Sequence, residues 1–306
     1  GATESNNLAL KGAAHFYQER GKHIITVKTE HKAVLDTCRE LERQGFEVTY
    51  LEVLPNGLID FEVFKAAVRP DTILVSVMFV NNEIGVIQDI PRIGEFCREK
   101  GIIFHVDAAQ ATGKVAIDLQ TLKVDLMSFS AHKTYGPKGI GALLVRQGLN
   151  WPVLFQGSQE RARRGGTENL PGIHGFAVAA EALTLSAEAW VTRASALAAM
   201  RDHLEQGLLS CLPGTVVFGQ VQTRLPNTSY LRFGRVHADV VLQRLERLGV
   251  MASSGAACSA GGNEPSHVLT AMGVSREEAL CAVRLSLPDD LQPAQIDQLM
   301  AGLSAE

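Results

Sequence analysis

Down the first half of the chain, short apolar runs alternate with stretches that carry apolar residues on one side only. "HIITVK" (23–28), "EVTYLEV" (47–53), "TILVSVMFV" (72–80), "GIIFHVDA" (101–108), "VDLMSFSA" (124–131) and "GIGALLVR" (139–146) have the length and β-branched content of strands. Between them, segments such as "HKAVLDTCRELERQG" (31–45) repeat their apolar residues at helical spacing. Strand and helix in alternation predict an α/β fold with a mostly parallel sheet. From about Pro171 the pattern changes to the Ala/Leu-rich "HGFAVAAEALTLSAEAWVTRASALAAMRDHLEQGLLS", which predicts one long helix or two joined. Beyond it, "GTVVFG", "TSYLRFG", the helical "HADVVLQRLERLG" and a last strand and helix predict a smaller α+β domain. The expected division is a large domain over 1–185 and a small one over 186–306. No internal repeat or low-complexity tract interrupts it.

Composition narrows the function classes. At 306 residues, 46% of them hydrophobic, the chain is long enough for one large core and a second modest one. Its 29 Lys and Arg are interspersed with 33 Asp and Glu for a net charge of -4, which gives no footprint for nucleic acid or an acidic membrane surface. No apolar stretch reaches the roughly 20 residues of a membrane span, and no signal-peptide pattern opens the chain. Cys38, Cys97, Cys211, Cys258 and Cys281 are widely spaced, odd in number and without a CxxC pair. That usage suggests neither a disulfide framework nor a zinc site and fits a reducing compartment, cytoplasmic or organelle-matrix.

The candidate chemistry lies where the predicted strands end. In "SFSAHKTYGPKGIG", Lys133 stands between Ser130 and His132, both able to bind a phosphate, and glycines that permit close backbone approach. A buried lysine of this kind is held unprotonated by desolvation and condenses with an aldehyde, although a lone "HK" is commonly a turn on the surface. Asp107 in "FHVDAAQ" ends an apolar strand, where a carboxylate pairs with a protonated ring nitrogen or, more commonly, caps the next helix. Gln110 follows as a donor to a ring hydroxyl. "GATESNN" sets Ala2 and Thr3 at a helix N-terminus suited to a phosphate, with simple capping by Thr3 or Ser5 as the alternative. His31 in "TEHKAV" suits stacking and proton transfer, and Asn82 in "FVNNEIG" suits a hydrogen bond to a ring substituent; loop histidines and turn asparagines are also ordinary structure.

Cys258 sits in "SSGAACSAGGNEPSH", rich in small residues, which marks an exposed loop and a nucleophilic thiol. The other four cysteines read as small buried hydrophobes. Arg284 in "CAVRLSL" can grip a carboxylate with two parallel hydrogen bonds. "RARRGGTENLPG" joins arginines to Thr167, and reads equally as an anion site or as solvated basic surface.

Taken in order, "GATESNN", "TEHKAV", "VNNEIG", "HVDAAQ", "SFSAHKTYGPKGIGAL", "RRGGTEN" and "SSGAACSAGGNEPSHVL" resemble the motifs of cysteine desulfurases of the iron-sulfur-assembly and nitrogen-fixation subgroup. These are class V aminotransferase-like enzymes of the fold-type I group that use pyridoxal 5'-phosphate (PLP). The resemblance implies that Lys133 condenses with the cofactor, Asp107 pairs with the pyridine nitrogen, Gln110 meets the phenolic oxygen and His31 stacks on the ring beside Asn82. It further implies that Ala2, Thr3, Ser130 and His132 hold the phosphate, with Thr167 reaching the phosphate of the other subunit of a homodimer. Arg284 would bind the carboxylate of L-cysteine, and Cys258 would take its sulfur as a persulfide, releasing alanine. The persulfide would pass to an acceptor, typically an iron-sulfur scaffold protein. A selenocysteine lyase or aminotransferase of the same fold would share Lys133 and Asp107, and an inactive scaffold would keep the fold alone. The chain departs from the family's pattern at "RLSLPDD" after Arg284, at "FQGSQE", where a triple glycine is usual, and in the absence of a strand before "GATES" and of a C-terminal extension. It is therefore expected to lack its natural beginning.

Overall fold

The computed structural model describes residues 1–149, 154–183, 187–255 and 264–304. These form two compact units. Unit 1 comprises Gly1–Glu52, Ile59–Val80 and Gln88–Leu185; unit 2 comprises Val53–Leu58, Asn81–Ile87 and Ser186–Glu306.

Unit 1 is built on six strands: β1 (His23–Val27), β2 (Glu47–Leu51), β3 (Thr72–Met78), β4 (Ile103–Asp107), β5 (Leu126–Ser130) and β6 (Gly141–Val145). Their order is β2-β1-β3-β4-β5-β6, parallel throughout except for β6, which runs antiparallel to β5. Every residue of β1, β3 and β4 is buried, the continuous burial of strands covered on both faces. Helix α1 (Ala2–Tyr17) precedes β1, and α2 (Lys32–Arg43), α3 (Phe61–Ala67) and α4 (Ile90–Lys100) connect β1 to β2, β2 to β3 and β3 to β4. Leu10 and Ala14 of α1 and Val34 and Leu41 of α2 join Ile24, Leu74 and Leu126 in one core, each large aliphatic contributing about 1.5–3 kcal/mol. Helix α4 has both signals its sequence offers: Asp89 caps the N-terminus, accepting the Arg92 N–H at 3.2 Å, and Gly101 ends it with a left-handed φ of 66°. Past β6 come α5 (Gln159–Ala162), a single turn with Glu160 and Arg161 at positive φ, and α6 (Leu170–Ala182).

A polar line crosses the middle of the sheet. His105 of β4, fully buried, bonds through Nδ1 to Ser76 Oγ at 2.8 Å and through Nε2 to Ser128 Oγ at 2.9 Å. Burial lowers its pKa to about 3, so the ring is neutral, one nitrogen donating and the other accepting.

Unit 2 holds α7 (Ala187–Cys211), β7 (Thr215–Val217), β8 (Thr228–Phe233), α8 (Ala238–Arg247), α9 (His267–Ala271), α10 (Arg276–Ala279), β9 (Ala282–Ser286) and α11 (Pro293–Ser304). The strands form an antiparallel sheet in the order β7-β8-β9. Leu204 and Leu208 of α7, Leu245 of α8 and Ile296 of α11 pack with Leu231 and Val283 of that sheet. A buried ion pair, Arg224 with Glu205 at 2.5 and 2.7 Å, ties the loop before β8 to α7. Segment 81–87 enters this unit through a bridge between Val86 and Arg224 and through the Ile87 N–H, which donates to Thr223 O at 3.0 Å. Among the described residues, no helix is long and apolar enough to cross a membrane.

Candidate active site

In unit 1 the site residues gather at the carboxyl ends of the parallel strands, where open α/β sheets bind ligands. Asp107, the last residue of β4, is 4% exposed. Its Oδ2 accepts the Asn6 side-chain amide at 2.7 Å and its Oδ1 accepts the Ala109 N–H at 3.0 Å. Burial raises its pKa; the two hydrogen bonds and the positive charges of His31 and Lys133 pull the other way without overcoming it. The site therefore has a buried carboxylate that forms no ion pair among the described residues. Asn6, which the motif reading passed over, reaches Asp107 because it lies about one helical turn beyond Ala2 and Thr3 on α1, and its Oδ1 is buried without a partner among the described residues.

The α1 N-terminus supplies the second component. Gly1 is the N-cap, and no side chain accepts from the first turn. Neither Thr3 nor Ser5 caps the helix; Ser5 Oγ donates to Gly1 O at 3.3 Å instead. The first-turn N–H groups of Ala2 and Thr3 thus await an acceptor, as a phosphate site requires. Beside them, a Cβ on Gly141 would come within 2.8 Å of Gly1 Cα, so the glycine of β6 is what lets strand and helix end approach. Ser130, at the end of β5, bonds to His132 Nδ1 at 2.8 Å. Partial burial and then the charges of Lys133 and Lys138 hold the His132 pKa below its ordinary value.

His31 caps α2, its Nδ1 accepting the Ala33 N–H at 3.1 Å, which assigns any hydrogen of the neutral ring to Nε2. Gln110 is half-buried, its Oε1 accepting from Lys114 at 3.2 Å. Lys133 ends the 3-10 turn Ala131–Lys133 and is exposed, contrary to the expected buried lysine. Thr167 is also exposed and makes no hydrogen bond among the described residues. Its loop is laid against α1 by Arg164, whose Nε donates to Glu4 Oε1 at 2.8 Å, so one arginine of "RARRGG" is a structural tie.

Asn82 and Arg284 fall in unit 2 and touch each other: Arg284 Nη1 donates to Asn82 O at 2.8 Å. Cys258 lies outside the described residues. Of the other cysteines, Cys38, Cys97 and Cys281 are buried, with burial pushing each thiol's pKa up. Cys211 is exposed, against expectation, because α7 ends with it and Leu212 takes the place against the core.

The sequence matches the class-V aminotransferase profile over residues 1–299. The chain belongs to the class-V aminotransferase family. Its relatives within that family include a cysteine desulfurase, IscS, of Dechloromonas aromatica, 54% identical over 301 residues that cover 97% of this chain and 73% of that protein. The IscS of Methylococcus capsulatus is 53% identical over 94% of this chain and 70% of its own length. Among solved structures, a NifS-like protein superposes with a TM-score of 0.90 at 36% identity, covering 99% of this chain and 80% of that one. SspA in complex with cysteine gives a TM-score of 0.81 at 40% identity over 94% and 80% of the two chains. The expected fold-type I architecture and the resemblance to cysteine desulfurases are both borne out. Class-V aminotransferases of this group use PLP, and the donor set fits it: a buried carboxylate at a strand end, an uncapped helix N-terminus and a hydroxyl-imidazole pair beside a lysine.

Proposed function

We propose that this chain is a PLP-dependent cysteine desulfurase that converts L-cysteine to L-alanine and carries the released sulfur as a persulfide on Cys258. The observation that carries the cofactor chemistry is Asp107, buried at the end of β4 and hydrogen-bonded on both oxygens, with no ion pair among the described residues. Identity above half to proteins named cysteine desulfurase, over nearly the whole chain, supports the substrate and the outcome.

When bound, PLP supplies an electron sink that draws charge from the α-carbon of an amino acid. Asp107 would pair with its ring N–H, and Asn6 holds the carboxylate in line. The N–H groups of Ala2 and Thr3, the Thr3 hydroxyl, Ser130 and His132 would hold its phosphate. Lys133 would carry its aldehyde carbon, Gln110 would donate to its phenolic oxygen, and His31 would cover its face beside Asn82 while moving protons. Arg284 would hold the substrate carboxylate. The Cys258 thiolate then attacks the sulfur of L-cysteine: a sulfur-sulfur bond forms, the carbon-sulfur bond breaks, and protonation of the carbon gives alanine. No outside oxidant is needed, because the electron pair of the broken carbon-sulfur bond goes to the carbon, which is reduced to the methyl group of alanine as the two sulfurs are oxidised to a persulfide. We further propose a cytoplasmic homodimer in which Thr167, exposed on its own subunit, serves the partner's phosphate, with an iron-sulfur scaffold as acceptor.

The test is the Cys258→Ala protein. It should bind PLP and shift its absorbance on addition of L-cysteine, yet make neither alanine nor persulfide. Alanine at the parent rate, a persulfide mapped by mass spectrometry to another cysteine, or amino transfer to a keto acid in place of sulfur release would overturn the reading.

A further inference from the structure

The chain lays β2 on one side of β1 and β3 on the other, so the β1/β3 seam is where an open sheet of this order parts and admits a ligand. Backbone pairing closes only part of that seam. β1 pairs with β3 from His23 opposite Thr72 to Ile25 opposite Val75, while β3 runs on to Met78. Along the remainder, side chains from the β1 side take over: Thr26 Oγ1 donates to Ser76 O at 3.1 Å, and Glu30 Oε1 accepts the Met78 N–H at 2.6 Å.

Glu30 belongs to "TEHKAV", and the reaction described above makes no use of it. It is 1% exposed. Its N–H donates to Val27 O at 3.1 Å, turning the chain out of β1, and the next residue is His31, the N-cap of α2. Across the seam, Met78 stands opposite Asp107 in the register of β3 with β4, and the Phe79 N–H donates to Asp107 O at 2.9 Å. One carboxyl group thus joins the loop that carries His31 to the strand end that holds the backbone of Asp107. Burial raises the Glu30 pKa well above the ordinary carboxylate range; the Met78 N–H opposes the rise and the Asp107 charge adds to it. Burial thus favours the neutral acid, whose carbonyl oxygen accepts from Met78 as a carboxylate would.

We propose that Glu30 is a positioning residue for the cofactor ring: its carboxyl group spans the β1/β3 seam and sets the separation of His31, which covers the ring, and Asp107, which answers its nitrogen. This rests on the reading of those two residues as the ring's partners. The reach of the side chain matters and its charge does not. Without that reach, the Met78 N–H is left buried with no acceptor from Glu30, and the strand ends are held by Thr26 alone of the two side chains.

Three substitutions separate reach from charge. Glu30→Gln keeps an oxygen at the same reach, Glu30→Asp keeps a carboxyl group one methylene short, and Glu30→Ala keeps neither. In protein without cofactor, hydrogen exchange at the Met78 amide should be about tenfold faster or more in Glu30→Asp and Glu30→Ala, and within about twofold of the parent in Glu30→Gln. With PLP bound, the circular dichroism of its visible band reads how the ring is held. That band should lose intensity in Glu30→Asp and Glu30→Ala, with PLP affinity about three- to thirtyfold weaker, and both should stay near the parent in Glu30→Gln. If Glu30→Ala does not fold, Glu30→Asp carries the test. Parent band and parent affinity in folded Glu30→Asp and Glu30→Ala proteins overturn the proposal, and so does a loss in Glu30→Gln as deep as in Glu30→Asp. A band left unchanged by both His31→Ala and Asp107→Asn would sink the reading of the site instead, and the Met78 exchange rate, measured without cofactor, keeps the two failures apart.

Discussion

Asn6 and Asp107 form one working part, and the order of their importance follows from charge. A carboxylate buried without a compensating cation costs free energy, and the amide of Asn6 offsets part of it at 2.7 Å. Asp107→Asn removes the charge that a ring N–H would answer, whereas Asn6→Ala removes only a neutral donor. We expect PLP affinity, read by titration of its absorbance, to fall by about 10- to 100-fold in Asp107→Asn and about threefold to tenfold in Asn6→Ala. Equal losses in the two variants would mean that Asn6 contacts the cofactor itself. At this scale the motifs set Asp107, Ser130, His132 and Lys133 at or beside the ends of apolar runs, and the structure places them at or just after the carboxyl ends of β4 and β5. Asn6 was not legible. It acts through Asp107, a partner distant in sequence, and no local spacing encodes such a pairing.

Among elements, β4 is the one whose chemistry and structure are most closely joined, since it carries His105 in its middle and Asp107 at its end. His105 has a folded pKa of about 3 against an ordinary 6.5. Because the folded form resists protonation, stability from this group is complete above about pH 6.5 and is lost progressively as the pH falls toward 3, at about 1.4 kcal/mol per unit. Denaturant midpoints measured across that range should therefore fall more steeply for the parent than for His105→Gln, which cannot titrate; parallel slopes would mean that the histidine is not held neutral. The strands themselves were plain in the sequence: all six apolar runs of the first half became β1 to β6, and "TSYLRFG" became β8. Apolar periodicity encodes which face is buried, and burial is what β1, β3 and β4 maximise. It does not encode helix ends as well: the Ala/Leu-rich stretch holds both α6 and α7, and the capping Asn169 at the start of α6 was not singled out.

For the whole molecule, the exposed Thr167 links cofactor retention to assembly. If it completes the partner's phosphate site, dilution below the dimer dissociation constant should release PLP, and Thr167→Ala should loosen PLP without altering the fold. Sedimentation that finds a PLP-saturated monomer would contradict the shared site. Sequence pattern also could not reveal that 53–58 and 81–87 belong to unit 2, because their partners are long-range: Val86 pairs with Arg224 and Ile87 with Thr223. That pairing bears on how the chain is made. A ribosome adding roughly 5–20 residues per second needs on the order of ten seconds to travel the distance from 87 to 223. For most of that interval the "NNEIG" turn has left the tunnel while its partners, Thr223 and Arg224, are still untranslated. Unit 1 thus cannot finish folding as a sealed first product; it must carry two unsatisfied loops until the last third of the message is read. Slowing translation between these points should lengthen exposure of the "NNEIG" turn to proteases while leaving the finished enzyme unchanged.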